Sequence, residues 1–254
     1  MLMKMLSLSA LVLTAFSTFS AEAAVNASQR ALVVVSELEE GSMRELAPLY
    51  TALEAITVTV PRALLSPHYA QTKILSNQSA TLSNFKNTLY RLAATPSIKA
   101  IDVIINTHGL DEELFFYNGG WRMSEIQEEL LSPDAPYTQA TTNAMKKKLR
   151  MLYSTACYGA SHNNNWNAIG FDVSAGAIGV NANAEAEYGG VLGAWAAGAP
   201  FSTGFLISNT DAALAITDTP VRIAGEFANN ILREVNSKKK IRGNPSITMN
   251  SDPQ

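Results

Sequence analysis

The 254-residue chain holds a single cysteine, Cys157, so it cannot close an internal disulfide. A lone thiol in an oxidising compartment is either inert packing or kept for its reactivity. Charged residues make up only 16% of the chain, and a formal charge of −3 gives no basic surface suited to nucleic acid or an anionic membrane. After residue 24 no apolar run approaches the ~18 residues of a membrane span. The three histidines, none three or four positions from another, provide no zinc spacing with the one cysteine. A phosphate-cradling glycine loop is missing, and so is the G-x-S-x-G of a serine hydrolase. Neither a metal nor a cofactor is expected, and the oligomeric state is left open.

The amino terminus has a recognisable pattern. Lys4 precedes an apolar block over residues 5–19, and Ala21-Glu22-Ala23 forms a small-x-small cleavage site. This reads as a signal peptide over residues 1–23, with export to a periplasmic or extracellular space. The remaining chain is long enough for one sizeable core, expected over residues 24–235. From Asn236 onward (NSKKKIRGNPSITMNSDPQ) it turns basic and polar, so residues 236–254 are expected to be a disordered tail.

Between these ends, strand and helix signals alternate. Residues 31–35 (ALVVV), 56–60 (ITVTV), 101–106 (IDVIIN), 149–155 (LRMLYST) and 177–181 (AIGVN) read as strands. Helical patterns fall over 43–55, 81–94, 124–131 and 141–148, and further alanine- and glycine-rich ones lie within 185–235. Ser124 is the expected N-cap of the third of these, with Gln127 completing a capping box. Residues 113–123 carry two apolar runs around Asn118-Gly119, a hairpin signature. The expected fold class is α/β, three layers, with a mostly parallel sheet and helices on both faces.

Such sheets bind ligands beyond the carboxyl ends of their strands. His108 and Cys157 each lie just past a strand end, 49 residues apart. Small residues around Cys157, in Ser154-Thr155-Ala156-Cys157-Tyr158-Gly159-Ala160, allow a substrate backbone to approach closely. His108 is followed by Gly109, whose N–H can face a substrate carbonyl.

IDVIINTHG (Ile101 to Gly109) and LRMLYSTACYG (Leu149 to Gly159) together resemble the caspase, legumain and gingipain group of cysteine peptidases. In the caspase signature the histidine precedes an Ala-Cys-x-Gly motif by about 50 residues, the order and spacing found here. AIGVNANAEAEYGG (Ala177 to Gly190) adds a legumain-like likeness. The resemblance implies a caspase-like fold and a peptide or protein substrate. It makes Cys157 the nucleophile and His108 the donor of a proton to the leaving amine. The N–H groups of Gly109 and Cys157 would form the oxyanion hole. Two further readings stand beside it: a catalytically inactive binding module of the same fold, and a non-proteolytic amidase or acyl transferase using the same thiol.

Departures from the pattern narrow the expectation. Thr155 stands where caspases carry Gln, and Tyr158 replaces their charged or polar residue, so a preference for Asp is not implied. Thr155, Glu185 and Glu187 are the candidate substrate-pocket residues, the two acids for a basic side chain. His162 is expected on a solvated loop. Asp102 lies too far along its strand to serve His108 and is expected to be structural.

Overall fold

The computed structural model describes residues 24–39, 47–228 and 231–254. The expected signal peptide over residues 1–23 and the first turn of the 43–55 helix lie outside them.

A six-stranded sheet forms the centre, in the order β2-β1-β3-β7-β8-β9. Its inner strands are β1 (Arg30–Glu37), β3 (Ala100–Thr107), β7 (Leu149–Ser154) and β8 (Val173–Ala177), each buried along its whole length. Burial on both faces explains why they read as continuous apolar runs rather than alternating ones. The edge strands are β2 (Gln71–Ser76) and β9 (Lys239–Gly243). All pairings are parallel except β8 with β9. The sheet is therefore mostly parallel, as the strand–helix alternation implies.

Helices cover both faces. On one side α2 (Leu82–Ala94), α3 (Met123–Leu131), α4 (Gln139–Lys146) and α5 (Gly159–Ile169) bury Phe85, Leu89, Ile126, Met145 and Trp166 against the sheet. On the other, α6 (Ala184–Ala196) and the 3-10 segment Phe201–Phe205 bury Tyr188, Leu192, Trp195 and Phe205, and α1 (Ala47–Leu64) packs beside α6. A small antiparallel sheet, β4 (Gly109–Leu110), β5 (Glu113–Phe116) and β6 (Gly119–Arg122), contains the expected hairpin. A final helix, α7 (Asp211–Ala228), packs on the 3-10 turn Ile231–Glu234. No helix among the described residues is long and apolar enough to cross a membrane.

Four expectations about local structure need correction. The segment ITVTV is helical, because α1 runs through it to Leu64. Glu54, Thr57 and Pro61 are its buried positions, a helical spacing that outweighs the β-branched composition. Pro61 has no N–H to give the Thr57 carbonyl, and the Tyr188 hydroxyl donates to that carbonyl instead, at 3.2 Å. The real second strand, β2, was hidden by its polar, half-buried edge composition.

The tail is also not disordered. β9 pairs with β8, and Ile247 and Met249 are each 2% exposed. The buried Arg150 guanidinium donates to the carbonyls of Met249 and Ser251, at 2.6 and 2.7 Å, which fastens the segment to the sheet. The strand expected at 177–181 lies earlier, at Val173–Ala177. Gly176 lies within it against the start of α5, where a Cβ would meet the Gly159 backbone at 2.4 Å. Finally, α3 is capped at Arg122 rather than Ser124, and the Glu125 carboxylate accepts from the Arg122 N–H at 2.9 Å.

Candidate active site

Adjacent parallel strands β3 and β7 deliver His108 and Cys157 to the same edge of the sheet. The Thr155 N–H donates to the Ile105 carbonyl at 2.9 Å and carries the pairing one residue beyond β7. The chain then turns sharply. Tyr158 adopts a left-handed conformation, φ 55°, and caps α5, which begins at Gly159. A non-glycine residue in this region is strained by about 1–3 kcal/mol and is held by its surroundings. Here the Tyr158 N–H donates to the Gly179 carbonyl at 2.8 Å, and Gly159 lies against Gly176. Cys157 thus stands on a tight strand-to-helix turn at a helix amino end, where backbone dipoles favour negative charge.

His108 and Cys157 are both partly exposed and line one cavity of about 510 Å³. The His108 Nε2 lies 3.0 Å from the Leu38 carbonyl. A carbonyl only accepts, so Nε2 carries the hydrogen and Nδ1 is the nitrogen left for proton exchange. Tyr50 meets the imidazole edge-on at 5.0 Å between ring centres. Behind this contact, Glu54 Oε2 accepts from the Leu38 N–H at 3.1 Å. Burial pushes the Glu54 carboxyl up to about 7, opposed by a bond from Ser36 and reinforced by Glu37.

Gly109 is required by its neighbours. A Cβ there would lie 2.6 Å from the Cys157 carbonyl oxygen and 3.0 Å from Ala156 Cβ. The Phe115 N–H donates to the His108 carbonyl at 3.0 Å, which makes His108 and Phe115 a hydrogen-bonded pair. In an antiparallel ladder the next pair, Gly109 with Leu114, is not so bonded, and the Gly109 N–H points away from β5.

The other candidates separate. Thr155 lines the cavity but is only 9% exposed, and its hydroxyl donates to Asn106 Oδ1 at 3.0 Å. Asn106 in turn donates to the Tyr188 hydroxyl at 2.9 Å, so both residues belong to a buried network. Glu187 does not fit a basic-residue pocket. It is 6% exposed, and its Oε1 receives the Lys239 ammonium at 2.5 Å and the Tyr153 hydroxyl at 2.7 Å. Glu185 lies on α6, and its side chain is outside what the structure describes. His162 is a buried residue of α5 rather than part of a solvated loop, and it donates from Nε2 to the Leu110 carbonyl at 2.9 Å. Burial lowers its pKa, against the pull of that carbonyl. It touches the Gly109 position and supports the turn. Asp102 holds Arg150 through two bonds at 2.9 and 2.5 Å and accepts from Tyr69 at 2.7 Å, well inside the core.

Sequence reasoning missed Asn181 and Lys239. The Asn181 N–H donates to Cys157 Sγ at 3.4 Å, and its Oδ1 accepts from Lys239 Nζ at 3.0 Å. An inward-facing lysine inside a run of three resembles a solvated surface, and only its alternation with Ile241 marks a strand.

No family model and no curated protein matches the sequence. Among solved structures, the structure of pro-sf-caspase-1 aligns with 86% of this chain and 92% of its own, at TM-score 0.43 and 11% identity. Among the described residues no group of acids, histidines and cysteine is arranged to hold a metal ion.

Proposed function

We propose that the chain is an exported cysteine peptidase of caspase-like fold that cleaves peptide bonds through an acyl-thioester. One observation carries this reading: Cys157 and His108, from neighbouring strand ends, open into the same cavity. The Cys157 thiolate attacks the scissile carbonyl carbon, a C–S bond forms, and the carbonyl oxygen takes the negative charge. The N–H groups of Gly109 and Cys157 are assigned to that oxyanion. His108, holding its Nε2 hydrogen on Leu38, gives a proton from Nδ1 to the amine as the C–N bond breaks. Water then gives one proton to His108 Nδ1 and adds to the thioester; the C–S bond breaks, the acid leaves with its remaining proton passing to solvent, and the thiolate and protonated His108 are restored.

The cavity walls favour an apolar side chain beside the cleaved bond. Leu53, Ile56, Leu110, Val180, Val221 and Leu232 form much of the lining, and among the described residues no Asp, Glu, Lys or Arg lines it. Thr155 contributes part of the surface and no charge.

Export rests on the sequence of residues 1–23 and is tested by amino-terminal sequencing of the secreted chain, expected to begin near Ala24 or Val25. For catalysis, Cys157 alkylation by iodoacetamide is followed against pH, and a positional peptide library is screened. The expected result is cleavage after apolar residues that both Cys157→Ala and His108→Ala abolish. Unchanged cleavage in both variants refutes the peptidase. Rapid alkylation with acyl transfer but no hydrolysis points to a transferase, and an unreactive thiol points to a binding module.

A further inference from the structure

The buried ion pair behind Cys157 is more elaborate than packing requires. Lys239 on β9 is 4% exposed, and its ammonium faces four oxygen atoms. Besides Glu187 Oε1 and Asn181 Oδ1, these are Asn183 Oδ1 at 3.1 Å and the Ser237 carbonyl at 2.9 Å. All three ammonium hydrogens therefore have acceptors. The carboxylate is less complete, since Glu187 Oε2 has no hydrogen-bond partner. A pair of apolar residues of similar volume commonly does as well or better for stability. A buried pair of this kind is weak evidence for a role in stability alone.

Asn181 supplies the connection. Its side chain is held from both ends, Nδ2 donating to the Thr155 carbonyl at 2.8 Å and Oδ1 accepting from Lys239. That clamp fixes the residue whose backbone N–H meets Cys157 Sγ. Thr155 itself is two residues before the thiol, so one side chain spans the strand end and the lysine.

We propose that Lys239 is a positioning residue for the nucleophile: acting through Asn181, it aims the Asn181 N–H at Cys157 Sγ and supports the thiolate with its positive charge. This rests on the reading of Cys157 as the nucleophile. Burial lowers the Lys239 pKa, while the Glu187 carboxylate opposes that lowering, and Asp218 and Cys157 act in the same raising sense. Other titratable groups around the thiol are His108 across the cavity and Tyr158, whose hydroxyl bonds Glu234.

The test is the pH–rate profile of iodoacetamide alkylation on the full chain. It compares wild type with Lys239→Met/Glu187→Gln, which removes both charges and keeps an acceptor for Tyr153. The expected result is a midpoint moved up by about one pH unit, which is about tenfold slower alkylation below the midpoint. Asn181→Ala keeps the ion pair and breaks the link, so a smaller upward shift is expected; it carries the test if the double variant fails to fold. Folded variants with the wild-type midpoint overturn the role of Lys239 while leaving a shifted wild-type midpoint, and the nucleophile reading, intact. A wild-type profile like that of an ordinary thiol, near 8.5, sinks the nucleophile reading itself and the inference with it.

Discussion

Strands β3 and β7 carry polar residues at both of their ends, and the two ends differ in how those groups are satisfied. At the amino-terminal side, Asp102, Arg150, Tyr69 and the Trp195 indole form a closed cluster in which Tyr69 also accepts from Trp195 at 2.9 Å. Asp102 and Arg150 are each 0% exposed, and both lie where the β3–β7 register shifts by one residue. At the carboxyl side, His108 and Cys157 remain partly exposed on a cavity, next to a strained turn. Polar groups that satisfy one another hold a fold together. Those that face an open space on a rigid frame are the ones available for chemistry.

The strongest way to break this comparison is to remove one group from each end. Cys157→Ala should reduce peptide cleavage to background while changing the stability measured in urea by less than about 1 kcal/mol. Asp102→Ala should do the opposite, costing about 3–5 kcal/mol by stranding the buried Arg150 charge. The activity per folded molecule should survive that second change. If Asp102→Ala spares stability and destroys turnover, the division between the two ends is wrong.

A smaller effect sharpens the geometry of the site. Gly109→Ala should lower kcat/KM about a hundredfold, because the new methyl must displace the Cys157 carbonyl that lies 2.6 Å away. Its Tm should fall by only a few degrees, since one strand end moves and the core does not. Steady-state kinetics beside thermal unfolding separate the two quantities.

The smallest effects come from two carboxyl groups, one near each end. Glu54 and Asp172 are both raised to about 7, mainly by burial. A raised carboxyl binds more protons in the folded chain than in the unfolded one between its ordinary value and about 7. Its stabilising contribution is then complete below the ordinary value and lost as pH rises through about 7. Tm should therefore fall between pH 5 and pH 8. Glu54→Gln and Asp172→Asn should each flatten part of that slope, and only Glu54→Gln should also alter the pH dependence of turnover, through Leu38 and His108. Equal effects on turnover would remove the distinction.

Much of the frame is legible in the order of residues. Buried strands β1, β3 and β7 were evident because both faces are covered and every residue is apolar or paired. Helix α2 lies within the helical pattern over 81–94, and the hairpin had Asn118-Gly119. The misreadings share one physical cause: local propensity is weak where tertiary contacts are strong. Composition made ITVTV a strand, yet burial of Glu54, Thr57 and Pro61 against its surroundings keeps it helical. Polarity made the tail look solvated, yet Arg150 and Lys239 use that polarity from inside the protein.

The candidate site divides in the same way. Residue order alone indicated Cys157 and His108, because a parallel sheet presents the ends of its strands on one edge whatever lies between them. Nothing in the order of residues could show that Glu187 is spent on Lys239, or that Asn181 stands between that lysine and the thiol. Those facts depend on contacts over 24 to 58 residues of chain. The sequence by itself determined the strand ends and the chemical types placed there, since these follow from local patterning. Which polar groups face the cavity and which neutralise one another was decided only by the tertiary structure, because burial and pairing arise from segments that meet only on folding.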